Sequence, residues 1–163
     1  MVPCSTGCAG SKRVIRVLLI GYGNTLRGDD ALGPMALERL RTTLPEMEYI
    51  SCHQLGPELA ERLAACDLAV FVDASGNGEP GAVHVVRLSP EPSHAASFTH
   101  HVQPTALLHL AKELYGRAPQ AMLVTGTGAT FDSGEELSAQ GQLALDRICR
   151  LVPLLVRDFP AMW

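Results

Sequence analysis

The sequence predicts a single-domain α/β fold, a three-layer sandwich in which a mostly parallel five-stranded sheet carries helices on both faces. Three observations lead there. Short, nearly unbroken apolar runs occur at residues 14–20 and 68–72, the pattern of strands buried on both faces. Between such runs lie segments with leucines at helical spacing, opened by proline. Aromatic residues make up only 5% of a chain that is 47% hydrophobic, so aliphatic side chains dominate. That balance suits helices packed on a sheet better than an all-β domain.

The elements follow in order. The first strand, 14–20, stops at Gly21, and Gly33-Pro34 leads into a helix over 34–44 with Leu37, Leu40 and Leu44 on one face. A second strand is expected over 49–55, followed by a helix that Pro57 opens and that turns Leu59 and Leu63 to one side. The third strand, 68–72, ends at Asp73, and the Gly- and Pro-containing stretch 75–81 marks a turn. Residues 83–88 form a fourth strand, near enough to the third to be an antiparallel edge. Residues 89–103, with His94, His100 and His101, read as a loop. Pro104 starts a third helix that reaches Tyr115, with Leu107, Leu110 and Leu114 aligned and Gly116 as its stop. A fifth strand covers 121–125, and a second glycine-containing loop covers 126–134. The last helix begins near Ser138 with Ala144, Ile148, Leu151 and Leu155 in one stripe, and Pro153 is expected to kink it. Residues 1–12 are expected to form a flexible lead-in to one domain, 13–163.

Composition narrows the function. A net charge of −4 speaks against a nucleic-acid surface, which needs clustered Lys and Arg. No apolar run approaches the ~20 residues needed to cross a bilayer. The first dozen residues lack the apolar core of a signal peptide, so the expected compartment is the cytoplasm. Cys4, Cys8, Cys52, Cys66 and Cys149 are scattered without a C-x-x-C pair and are expected to be thiols rather than a disulfide frame or zinc site. No interaction stripe is evident, and a monomer is expected.

In such sheets chemistry lies beyond the carboxyl ends of the strands. Three polar clusters fall there: Gly21-Tyr22-Gly23-Asn24-Thr25-Leu26-Arg27-Gly28-Asp29-Asp30, Asp73-Ala74-Ser75-Gly76, and Thr99-His100-His101. The first invites comparison with the dinucleotide-binding G-x-G-x-x-G. Its third glycine is replaced by Leu26, however, and two carboxylates follow where a pyrophosphate would lie. Asp29 or Asp30 also has a plain structural reading as a helix cap. Convergence of two acids and an imidazole on one rim of the sheet shifts the weight towards chemistry. The set suits a divalent ion such as nickel or zinc, or a carboxylate pair that activates water; both roles stay open. A serine nucleophile lacks the G-x-S-x-G elbow at Ser75. Cys52 and His53 are strand neighbours that point to opposite faces.

The first cluster, continued by Ala31-Leu32-Gly33-Pro34, resembles the G-x-G-N-x-L-x-x-D-[DE]-x-x-G signature of the hydrogenase maturation endopeptidases. Gln54-Leu55-Gly56-Pro57-Glu58-Leu59 resembles the opening of that family's second helix. Val70-Phe71-Val72-Asp73-Ala74 resembles its central strand, and Thr99-His100-His101 with Pro104 its histidine loop. Ala31 stands where many members have Gly, a small departure. The likeness implies a phosphorylase/hydrolase-like sandwich and an aspartic-type, nickel-dependent peptidase. Such an enzyme cuts a C-terminal peptide from the nickel-loaded large-subunit precursor of a nickel–iron hydrogenase. The nickel belongs to that precursor. Carried over position by position, the metal-contacting and catalytic residues are Asp30, Asp73 and His101, with His100 the alternative imidazole. Gly23, Asn24, Asp29 and His100 are expected to shape the substrate groove, with the 126–134 loop. Two other functions compete: a nickel-dependent checkpoint module that holds the precursor without cutting it, and a nucleotide-binding domain.

Overall fold

The computed structural model describes residues 14–92 and 102–162. Ten elements follow one another: β1 (Val17–Tyr22), a 3-10 turn (Gly28–Ala31), α1 (Leu32–Thr43), β2 (Glu48–Cys52), α2 (Leu59–Ala65), β3 (Leu68–Ser75), β4 (Val83–Leu88), α3 (Pro104–Tyr115), β5 (Gln120–Thr127) and α4 (Ala139–Met162). The sheet order is β2-β1-β3-β5-β4. β2, β1, β3 and β5 are parallel, and β4 lies antiparallel to β5 at the edge. The expected mostly parallel five-stranded sheet, with an antiparallel fourth strand, is the one found.

Alternation along the strands divides the core in two. Leu19, Val70, Val72, Met122 and Val124 face α1 and α4, meeting Leu37, Leu40, Ala144, Leu145, Ile148 and Val152. Leu18, Ile20, Ala69, Phe71 and Ala121 face the other way, against Leu59, Leu63, Leu107, Leu108 and Ala111 of α2 and α3. Each fully buried Leu, Ile or Phe contributes about 2 kcal/mol through removal of apolar surface from water. Two filled faces explain why the central strands read as continuous apolar runs.

Several boundaries differ from expectation for visible reasons. β1 begins later, with Val14 84% exposed. It then continues through Gly21 and Tyr22, which still pair with Ser51 and Cys52 of β2. β2 stops at Cys52, so His53, Gln54 and Leu55 leave the sheet. α1 starts at Leu32 instead of Pro34, and the 3-10 turn before it was not foreseen. On α3 the buried stripe is Leu107, Leu108 and Ala111, while Leu114 is exposed. On α4 it is Ala144, Leu145, Ile148, Val152 and Phe159, and the helix continues through both Pro153 and Pro160. No helix among the described residues is long and apolar enough to cross a membrane.

Topology places the site. From β1 the chain crosses over α1 to β2 on one side; from β2 it crosses over α2 to β3 on the other. Strand order therefore reverses between β1 and β3, and a crevice opens at their carboxyl ends.

Candidate active site

That crevice is a cleft of about 320 Å³. Tyr22, Gly23, Asn24, Arg27 and Asp30 line it from the segment after β1, and Asp73 and Ala74 from β3. His53, Gln54 and Leu55 close it beyond β2, and Val102, Gln103 and Pro104 at the start of α3.

The loop after β1 is wound so that Asp30 turns back into the cleft. Gly23 has φ 140°, and a Cβ there would run into the carbonyl oxygen of Asp30, so only glycine lets the chain pass. The Asn24 N–H then donates to Asp30 Oδ2 at 2.8 Å, while Asn24 Oδ1 accepts from the Leu26 N–H at 2.9 Å. Asn24 thus stabilises the turn as well as lining the cleft. Neither the 3-10 turn nor α1 has a side-chain cap, so the capping reading of the acid pair does not hold.

Asp29 and Asp30 are adjacent and have opposite fates. Asp29 is fully buried and absent from the cleft wall. Its Oδ2 accepts from the N–H groups of Ala129 at 2.7 Å and Thr130 at 3.1 Å. Ser138 completes the set, its N–H donating to Oδ1 at 2.8 Å and its hydroxyl to Oδ2 at 2.6 Å. Burial alone would raise this carboxyl's pKa; the Ser138 hydroxyl and the three N–H donors hold it below the ordinary value. The expectation of Asp29 at the groove is therefore corrected: it ties the first loop to the 128–138 segment. That segment likewise serves as a scaffold. It receives Arg27 and Asp29 and contributes nothing to the cleft wall.

Asp73 and Asp30 share the cleft, close enough for the charge of one to act on the other. Burial pushes the Asp73 carboxyl up to about 6 and the charge of Asp30 adds to this, against hydrogen bonds from the Ala74 N–H and the Tyr22 hydroxyl. The Ala74 N–H donates at 2.8 Å. Burial, then the nearby charge and hydrogen bond of Asp73, push the Tyr22 phenol above its ordinary range, so it remains a donor.

The two acids of the expected triad thus meet. His101 and the alternative His100 lie outside the described residues, as do His94, Thr99, Cys4 and Cys8. Among the described residues no three His, Cys, Asp or Glu side chains are grouped to hold a metal ion. His53, Gln54 and Leu55 line the cleft although the sequence places them inside the second strand; β2 ends at Cys52 and frees them. Tyr22 belongs to the first cluster, but its bond to Asp73 was not legible there.

Other nucleophiles fare poorly. Ser75 Oγ is engaged in a local turn, accepting from the Asn77 N–H at 3.1 Å and donating to the Asn77 carbonyl at 3.2 Å. Burial, with the charge of Glu58, raises the Cys52 thiol, and burial pushes Cys66 up to about 12, so both stay protonated.

Comparison with solved structures gives one consistent neighbourhood. The chain is similar to the hydrogenase maturating endopeptidase HybD from Escherichia coli, at 25% identity over 88% of this chain and 93% of that one, with a TM-score of 0.71. It is similar to the [NiFe] hydrogenase maturation protease HycI from Thermococcus kodakarensis, at 28% identity over 88% and 91%, TM-score 0.65. A hydrogenase 2 maturation peptidase from a Thaumarchaeota archaeon is 25% identical over 86% and 97%, TM-score 0.65. No protein-family model matches the chain, and no curated protein matches it. The resemblance seen in the loop motif extends to the fold.

Proposed function

We propose that this protein is an endopeptidase that removes a C-terminal peptide from the nickel-loaded precursor of a nickel–iron hydrogenase large subunit. The observation that carries the reading is the meeting of Asp30 and Asp73, from two separate strand ends, in one cleft. The names of the structural neighbours supply the substrate class. Val102, which follows His101 directly in the chain, lines the same cleft and supports His101 as the third member.

In this reading the nickel arrives on the precursor as a signal of completed insertion. Asp30, Asp73 and His101 add their oxygen and nitrogen donors to it, a set that imidazole and carboxylate chemistry allows. The scissile peptide is thereby held in place, and such positioning removes much of the barrier for a weak nucleophile. Before the ion arrives, a carboxyl group near pKa 6 is mostly ionised at neutral pH and so ready to donate to it. The Tyr22 hydroxyl orients Asp73 for that contact.

Incubation with the nickel-loaded precursor tests the proposal. A downward shift in large-subunit mass is expected. A stable complex without trimming would leave a checkpoint module in its place.

A further inference from the structure

Two carboxylates make this cleft a poor place for another negative charge, yet Arg27 stands in its wall. Among the described lining residues it is the one permanent cation. Its Nε donates to the Phe131 carbonyl at 3.2 Å, so the terminal nitrogens are left for a ligand. No carboxylate pairs with it among the described residues, although Asp30 lies three positions on in the same cleft.

The backbone that carries the guanidinium is also held in place. The Arg27 backbone bridges to Gly134, and the Gly28 N–H donates to the Gly134 carbonyl at 2.8 Å. Phe131 follows Thr130, whose N–H is fixed on the buried Asp29. An arginine whose fork is anchored before binding loses less freedom on meeting a planar anion.

We propose that Arg27 is a specificity-determining residue that anchors a carboxylate of the bound precursor in the cleft it shares with Asp30 and Asp73. The proposal rests on the endopeptidase reading for its substrate. It adds that the segment in the cleft is acidic, through a side chain or the chain's terminal carboxylate. Repulsion from the aspartates and attraction to Arg27 together fix which way that segment runs.

The test uses the full-length protein and synthetic peptides spanning the precursor's C-terminal region. One peptide has all carboxylates free, a second has only its terminus amidated, and a third has only its acidic side chains as amides. Binding to the wild type is expected to weaken about tenfold for one of the amide forms, which identifies the source of the carboxylate. Arg27→Ala should bind all three alike, and Arg27→Lys should keep part of the preference through charge alone. On the nickel-loaded precursor, Arg27→Ala should raise KM about tenfold with kcat within about twofold, the mark of lost uniform binding. The backbone bridge to Gly134 does not depend on the side chain, and unchanged melting will show that the variants fold.

Equal binding of all three peptides by the wild type, or a preference that survives Arg27→Ala, overturns the inference. If the wild type trims the precursor while the preference is Arg27-independent, only this inference falls. If the Arg27-dependent preference appears without trimming, the endopeptidase reading falls and the anchor stands.

Discussion

Ser138 donates twice to Asp29, through its N–H to Oδ1 at 2.8 Å and its hydroxyl to Oδ2 at 2.6 Å, and so locks the start of α4 onto the loop that carries Asp30. One acid of the pair is thus spent on architecture so that the other can face the cleft.

The adjacent acids should therefore answer differently to the same substitution. Asp29→Asn leaves buried N–H donors facing an amide and should cost about 3 kcal/mol, since each unsatisfied buried group costs about 1–3 kcal/mol. For a domain of this size that lowers Tm by roughly 6–12 °C. Asp30→Asn should leave Tm within about 1–2 °C, the range of a surface change of about 0.5 kcal/mol. Thermal melting of both variants checks this.

Asp73 should show the stability penalty of a site built for chemistry. Its folded-state pKa, about 6, lies above the ordinary 3.8. The folded state therefore holds the proton more tightly than the unfolded one, and stability falls as pH rises from about 4 to about 6. Asp73→Asn removes the buried charge. It should melt higher than wild type at pH 7.5, with the difference shrinking as pH falls from about 6 to about 4 and gone below that. Melting curves across that range check the sign.

Activity should follow the opposite order. Asp30→Asn and Asp73→Asn should each abolish precursor trimming while the fold persists. For wild type, kcat/KM should fall as pH drops below about 6, where Asp73 takes up its proton. Intact-mass assays give both readouts. The same assay on His101→Ala and His100→Ala identifies the imidazole that matters, with His101 the expected one.

Gly23→Ala should damage the site more than the fold. A Cβ at φ 140° meets the Asp30 carbonyl, so the loop must shift and take the carboxylate with it. A misplacement of about 1 Å costs about a hundredfold in rate. Trimming rates measured beside a melting curve will show the split.

Much of the fold was legible because binary patterning was strong. The 83–88 strand and the helix from Pro104 to Tyr115 were found with their observed bounds, since turn residues, Pro104 and Gly116 punctuate them. The drift at β1 and β2 came from backbone pairing, which holds Gly21 and Tyr22 in the sheet and releases His53, and which side-chain character does not report. On α3, Leu107 and Leu110 reach the core as expected, Leu110 only in part, while Leu114 has the right spacing but is exposed. Three leucines alone do not define the centre of a stripe; Leu108 and Ala111 shift it.

At the site, the segments that bear Asp30 and Asp73 were legible because both lie at carboxyl ends of strands, while the choice of Asp30 over Asp29 came from the family resemblance. Asp29 was misjudged for a physical reason. Its partners Ala129, Thr130 and Ser138 are about a hundred residues away, and no local pattern records that distance. Arg27 was part of the motif yet gained meaning only when its Nε was seen resting on Phe131.

The most direct test sets nickel-loaded and nickel-free precursor side by side with the wild-type protein and follows the mass of the large subunit. Loss of the C-terminal peptide from the loaded form alone is the expected result, because in the proposed reading Asp30 and Asp73 seat the substrate through the incoming ion. Equal trimming of both forms, or trimming that survives Asp30→Asn, would contradict it.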